Sequence, residues 1–358
     1  MAYVVELIKP RTVGVRQYET PEPGPGDVRV RTLYSGISAA TELATYRGTN
    51  PYLEKHWDAE AGLFVPGEST FSYPVDGWGY SEVGEVDALG DGTAGFEIGE
   101  VVWGMWCHRS SAVLPAEMLV GHELPADVNP LVGTFARVGA VALNAVLASG
   151  ARIGETAVVF GQGVIGLLAT QLLVGQGVEV FAVDMVPHRL ELAEEFGATP
   201  LSAAEADLAV VVRDLTQGHC ADRVIELTGA YPALHQAIRV AGVDGTVVAA
   251  GFYQGPATAL ALGEEFHHNR VTLISSQIGS LPLGLRDRWS RERLHQTVIK
   301  LCAMGRLDPM PLVSHVIPAT SAAEAFRLVD SPPPDLLQVI LDFRASADSS
   351  NGEVGEAR

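Results

Sequence analysis

The sequence predicts an α/β protein in which a doubly wound parallel sheet is joined to a separate β-rich domain. Three observations predict it. A β-branched apolar run, Ala157-Val158-Val159-Phe160, empties into Gly161, Gly163 and Gly166, and an apolar helix pattern follows. From about residue 130 strand-like and helix-like patterns alternate, which implies a parallel sheet covered on both faces. The stretch before about residue 125 lacks that alternation and reads as β-rich. A chain of 358 residues has room for both domains.

The elements follow in order. Val4 to Leu7, Val28 to Leu33 and Ser81 to Val86 carry the apolar and polar mixing of strands. Pro21-Glu22-Pro23-Gly24-Pro25-Gly26 is a turn cluster. Residues 49–79 hold Trp57, Trp78 and several Gly and Pro, and read as a long irregular loop packed by aromatics. Ala140 to Ala148 is an apolar helix pattern. Strands are then expected to begin near Ala157, Val178, Asp207, Val224, Thr246 and Val271. Arg291 to Met304 reads as a helix, Leu336 to Leu341 as a final strand, and the polar tail 344–358 as disordered. The expected domains are 1–125 with 315–343, and 126–314.

The glycine pattern is a dinucleotide fingerprint. Gly161 allows the tight turn, Gly163 lets the backbone approach a pyrophosphate, and Gly166 lets helix and strand pack closely. The N–H groups of Val164, Ile165 and Gly166 open the helix, where an anion is favoured. Roughly 20 residues on, a second strand ends in Asp184. A carboxylate there accepts hydrogen bonds from ribose hydroxyls and repels a 2′-phosphate, so NAD is the expected cofactor rather than NADP.

Composition narrows the partners. With 43 acidic against 24 basic residues the net charge is −19, which disfavours nucleic acid and anionic membranes. Cys107, Cys220 and Cys302 stand apart and form no CxxC pair, so no disulfide framework or thiolate zinc lobe is expected. The opening apolar stretch is short and broken by Glu6, and no apolar run reaches a membrane-spanning length free of charges and breakers. A cytoplasmic location is expected.

Taken in order, these landmarks resemble the medium-chain dehydrogenase/reductase superfamily. Pro21-Glu22-Pro23-Gly24-Pro25-Gly26-Asp27-Val28 is similar to its P-x-P-G-P-G-[ED]-V, and Ser35-Gly36-Ile37 leads into its first catalytic segment. Gly84, Gly99-Glu100-Val101-Val102, Arg189-Leu190, Gly197-Ala198 and Glu226-Leu227-Thr228-Gly229 fit later landmarks. The resemblance covers residues 1 to about 343. It implies a Rossmann sheet plus a GroES-like catalytic domain to which the C-terminal strand returns. It implies a homodimer formed through the sheet edge near Val271-Thr272-Leu273-Ile274. It also adds Arg189, Thr228, Gly229, Gly251 and Ser276 to the cofactor-binding candidates.

Many such proteins hold a catalytic zinc, and here each ligand position departs from the pattern. The first, a Cys in the family, becomes Ser38 or Ala39 when Tyr46-Arg47-Gly48 is matched from the right; Thr41 then takes the family's Thr and Glu42 its Asp. The second, the His of G-H-E-x-x-G, becomes Tyr80. Counting back from Ala142-Leu143-Asn144-Ala145-Val146 puts Arg137 on the third. No zinc is expected. Without it, side chains must stabilise the reacting oxygen and move its proton. The candidates are Tyr80, Thr41, Ser38 and His108, with Glu42 and Arg137 as an ion pair or as direct participants. Trp106 is a candidate pocket wall.

The resemblance, to zinc-free members such as bacteriochlorophyllide dehydrogenases above all, implies an NAD-linked dehydrogenase of a secondary alcohol: a cyclitol, sugar derivative or other biosynthetic intermediate. Two other functions compete. A zinc-free enone or quinone reductase would prefer NADPH, against Asp184. A non-catalytic NAD-binding protein would have no use for Tyr80 and Thr41.

Overall fold

The computed structural model describes residues 1–67, 69–204 and 207–344, so the expected disordered tail lies outside the described residues from 345 on. The chain forms two compact units. One is Met1–Thr134 together with the chain from Val313; the other is Phe135–Leu312.

In chain order the first unit contains β1 (Ala2–Lys9), β2 (Thr12–Tyr18), β3 (Asp27–Gly36), α1 (Thr41–Arg47), β4 (Lys55–Asp58), β5 (Leu63–Pro66), β6 (Glu82–Leu89), β7 (Val101–Gly104) and β8 (Ser111–Pro115). The second contains α2 (Ala136–Ser149), β9 (Thr156–Phe160), α3 (Val164–Gly175), β10 (Glu179–Asp184), α4 (Pro187–Glu195), β11 (Thr199–Ser202), α5 (Leu208–Leu215), β12 (Ala221–Glu226), α6 (Tyr231–Val240), β13 (Ala241–Ala249), β14 (Thr272–Ser275) and α7 (Arg291–Ala303). The first unit then resumes with β15 (Val313–Pro318), α8 (Ala322–Asp330) and β16 (Gln338–Asp342).

The first unit is built on a mixed sheet of order β15-β16-β3-β6-β7, with β8 also paired to β3. The C-terminal strand does return: β16 runs antiparallel to β3, with Ile340 opposite Gly36. Alternation along β3 sends Val28 and Val30 into a core with Val86, Val102 and Trp106. A second core joins Leu7, Ile37, Leu43 and Tyr46 to Phe326 and Val339. The region expected as an irregular loop contains the short hairpin β4–β5, whose Trp57 and Phe64 pack edge to face on one another.

The second unit is a parallel sheet of order β11-β10-β9-β12-β13-β14. Strand order reverses between β9 and β12, and ligands of such sheets bind at the carboxyl ends of the strands there. Ala157, Val158 and Val159 are fully buried, as strands covered on both faces require. Pro130–Ser149 is long and apolar enough to cross a membrane by length and composition alone, but 72% of it is buried in protein, so it reads as core.

One expected element is corrected. The strand expected near Asp207 is the helix α5. Its Leu208-Ala209-Val210-Val211-Val212 run has strand-like composition, but Asp207 Oδ1 accepts the Ala209 N–H at 3.0 Å and caps a helix. The sheet's third strand is the shorter β11, which lies before it.

Candidate active site

In the first unit, register assembles a buried polar chain. Ser35 stands opposite Glu82 across β3 and β6, and its hydroxyl donates to Glu82 Oε1 at 2.7 Å. Having given its one proton to Glu82, the Ser35 oxygen accepts from His108 Nδ1 at 2.6 Å. His108 Nε2 lies 2.7 Å from Glu42 Oε2. Glu82 Oε2 in turn accepts the Trp106 N–H at 2.9 Å. Glu42 and Glu82 are fully buried and His108 is 1% exposed, so no charge in the chain has water to solvate it. A left-handed turn at Cys107 (φ 70°) delivers His108, whose backbone is fixed by bonds to Trp78 and Val5.

Both ring nitrogens of His108 face acceptors, which the imidazolium satisfies. Burial opposes that charge, but the charge and hydrogen bond of Glu42, with Glu82 beyond it, hold the His108 pKa above its usual value. Burial pushes the Glu82 carboxyl up, against the pull of His108, Ser35 and the Trp106 N–H.

Glu42 has a second role. It lies in the first turn of α1, where a negative charge is favoured, and its Oε1 accepts the Ser38 N–H at 3.0 Å. Glu42 N–H returns a bond to Ser38 O at 3.3 Å, so helix and preceding turn hold each other. From the other side Ile37 N–H bonds Val339 O, and Gln338 Nε2 donates to Ile37 O at 2.9 Å. Ser38 is thereby fixed, half-buried, and its hydroxyl accepts a hydrogen bond from Tyr80 OH. Thr41 opens α1 with its side chain exposed.

In the second unit the glycine turn has the shape a dinucleotide needs. Gly161 takes φ 87°, and a Cβ on Gly166 would stand 1.8 Å from Gly161 O, so only glycine fits there. A Cβ on Gly163 would meet nothing within 4 Å, which leaves space over the turn. No side chain caps the N-terminus of α3, and Val164 and Ile165 are half-buried, so their N–H groups can face an anion. Asp184 ends β10 beside this turn. Its Oδ2 accepts the Gln162 N–H at 2.6 Å, and its Oδ1 accepts those of Met185 and Val186 at 2.8 and 2.9 Å. Arg189 Nη1 lies 4.0 Å from Asp184 Oδ2. Thr228, Gly229 and Gly251 follow the neighbouring strands β12 and β13, and Ser276 follows β14, with its hydroxyl 3.1 Å from Asn144 Nδ2.

A family model described as "Zinc-binding dehydrogenase" matches residues 164–297. D-guloside 3-dehydrogenase of Escherichia coli (strain K12) is 25% identical over 342 residues, covering 93% of this chain and 98% of that one. Other curated relatives are named (R,R)-butanediol dehydrogenase, sorbitol dehydrogenase and L-threonine 3-dehydrogenase. Among solved structures, a short chain alcohol dehydrogenase from E. coli CFT073 complexed with NADH shares the fold with a TM-score of 0.75, 21% identity and coverage of 95% and 99%. A Sinorhizobium meliloti 1021 protein bound to NADP does so with a TM-score of 0.77, 21% identity and coverage of 96% and 99%.

These matches agree with a likeness to the medium-chain dehydrogenase/reductase superfamily. The chain's fold is that of these relatives, a parallel Rossmann-type sheet in one unit and a mixed, GroES-like sheet in the other. The matched segment, 164–297, contains none of the three positions where the superfamily places catalytic zinc ligands, so its name carries nothing about zinc here. Two of those positions, Ser38 and Tyr80, are joined by a hydrogen bond. Of the two candidates for the first position, Ser38 is the one tied to Tyr80, while Ala39 is exposed. Among the described residues no group of three or more His, Cys, Asp or Glu is arranged to hold a metal ion.

Several expected roles change. His108, expected to exchange a proton with substrate, is buried, with one ring nitrogen on Ser35 and the other on Glu42 rather than on open space. Within the first unit Glu42 has His108 as a partner; Arg137 belongs to the second unit, where its guanidinium lies 3.3 Å from Nε2 of His295 of that same unit. Trp106 is a core residue and not a pocket wall. It is 3% exposed, with its indole N–H on Thr32 Oγ1 at 2.8 Å. Sequence reasoning missed Ser35 and Glu82. Their one signal was an acidic residue opening an apolar strand, and only the β3–β6 register gives it meaning.

Proposed function

We propose that the chain is a zinc-independent, NAD-dependent dehydrogenase that interconverts a secondary alcohol of a sugar-like or cyclitol substrate and its ketone. The observation that carries this is the Tyr80–Ser38 hydrogen bond. Two positions that hold metal ligands elsewhere in the superfamily hold, in this chain, hydroxyls bonded to one another. Zinc favours thiolate, imidazole and carboxylate, so this donor set does not fit it.

The glycine turn does fit a nicotinamide dinucleotide. Gly161, Gly163 and the N–H groups of Val164 and Ile165 would hold its pyrophosphate, and Asp184 its ribose. When bound, the nicotinamide takes or supplies the hydride at the reacting carbon. The protein's part is the proton. In oxidation Tyr80 takes the alcohol proton while passing its own to Ser38, and Ser38 passes one to solvent; in reduction the transfers reverse. His108 and Glu42 hold Ser38 in place for this exchange. The sugar or polyol substrate class rests on the relatives, D-guloside 3-dehydrogenase among them.

Two measurements test the proposal. Elemental analysis and chelator treatment of active enzyme should find no stoichiometric zinc and no loss of turnover; a zinc requirement would sink it. Titration with both cofactors should give tighter binding of NADH than of NADPH, by about tenfold or more for a carboxylate set against a 2′-phosphate. The reverse preference would favour the enone or quinone reductase.

A further inference from the structure

Glu226 ends β12, at the point where strand order reverses, and is fully buried. Its Oε1 accepts from Thr228 N–H at 2.7 Å and from the Thr228 hydroxyl. Its Oε2 accepts from Gly229 N–H at 3.3 Å and from the Tyr253 hydroxyl. Its backbone carbonyl accepts from Ala250 and Gly251. One residue therefore ties the loop after β12 to the loop after β13. The first loop borders the glycine turn: Leu227 N–H bonds Phe160 O, and a Cβ on Gly161 would meet Thr228 Cγ2 at 2.8 Å. The two loops touch backbone to backbone, since a Cβ on Gly251 would stand 2.3 Å from Gly229 N.

A buried carboxylate is costly unless its oxygens are fully hydrogen-bonded. Here both oxygens are served by donors from the very loops that flank the dinucleotide turn. Burial, with the Glu226 hydrogen bond and charge, pushes the Tyr253 hydroxyl far above its usual pKa, so it stays a donor. A polar cluster at this place does no packing that leucine would not do better. What it gives is a fixed shape for two loops.

We propose that Glu226 and Tyr253 form a latch that sets affinity for the nicotinamide cofactor by holding the loops after β12 and β13 in their binding conformation. They are positioning residues, with Glu226 acting from beneath the site. The latch rests on the reading of the glycine turn as the cofactor site.

The test is fluorescence titration with NADH of wild type, Glu226→Gln and Tyr253→Phe, with thermal unfolding of each in parallel. A glutamine must turn its NH₂ toward one pair of donors, so Glu226→Gln should weaken NADH about tenfold, as for loss of charge-assisted hydrogen bonds. Tyr253→Phe, which removes one bond and keeps the ring, should weaken it about threefold. In turnover assays the KM for cofactor should rise more than kcat falls. Folded variants that bind NADH within twofold of wild type would overturn the latch, even if they melt earlier, because a purely structural role lowers the melting temperature alone. If Glu226→Gln fails to fold, Tyr253→Phe decides. Wild type that binds neither NADH nor NADPH would overturn the cofactor site itself, and the latch with it.

Discussion

Tyr80 and His108 show how far a single residue can be read. The sequence placed Tyr80 on a former ligand position, and the structure bonds its hydroxyl to that of Ser38. Tyr80→Phe should therefore lower turnover by about 10²-fold, the usual worth of a positioned proton-transfer group, while NADH binding stays as in wild type. Unchanged turnover would remove Tyr80 from the mechanism. His108 was not legible in this way. A lone histidine after Trp106 reads equally as acid, base or core, and burial decides only when β1, β3 and α1 close around it. His108→Gln leaves Glu42 and Glu82 buried together without a cation, a loss of about 3–5 kcal/mol by the measure of broken buried pairs. Denaturant unfolding measures it. A loss below about 1 kcal/mol would mean that the imidazole carries no charge in the fold.

At the scale of elements, the β9–α3–β10 unit was legible because its signals are local. The glycines sit where strand gives way to helix, and two of them, Gly161 and Gly166, are required by contact rather than by habit. Gly166→Ala places a methyl 1.8 Å from Gly161 O, so the turn must move. NADH affinity should fall by tenfold or more, with a stability loss of about 1–3 kcal/mol for overpacking. Isothermal titration would show it, and wild-type affinity would mean that the turn does not touch the cofactor. Where two local signals conflict, reading fails. In α5 a Val-rich run argues for strand and the Asp207 cap for helix, and the cap prevails because it satisfies an otherwise orphaned N–H. Where a signal is not local, nothing can be read at all. Ser35 and Glu82 lie far apart in sequence and face each other only through the pairing of β3 with β6.

At the scale of the whole molecule, the shifted groups fix how stability depends on pH. His108 and Glu82 both have folded pKa values raised above their ordinary ones. Each therefore contributes stability that is full below the unfolded pKa and is lost as pH rises through the folded one. For His108 the loss starts above about pH 6.5, the ordinary imidazole value. The net charge of −19 adds to it, because deprotonation deepens self-repulsion. Asp207, Asp244 and Asp342 run the other way. Arg239 lowers the first, Arg270 the second, and Arg344 the third against its burial. Their contribution is present above about pH 4 and is lost below it. These are surface pairs of small individual worth, so the acid limb should be shallow until many carboxylates protonate together. Stability should thus be greatest at about pH 4 to 5, decline as the Glu82 contribution is lost, and decline further above about pH 6.5 with that of His108. Salt should soften only the part of that decline due to self-repulsion, because the buried His108 chain is out of reach of screening. Thermal unfolding from pH 4 to 9, at low and high ionic strength, checks this. A melting temperature that rises from pH 6 to 8 would show that His108 is neutral in the folded protein, and with it that Glu42 holds Ser38 as an unpaired carboxylate.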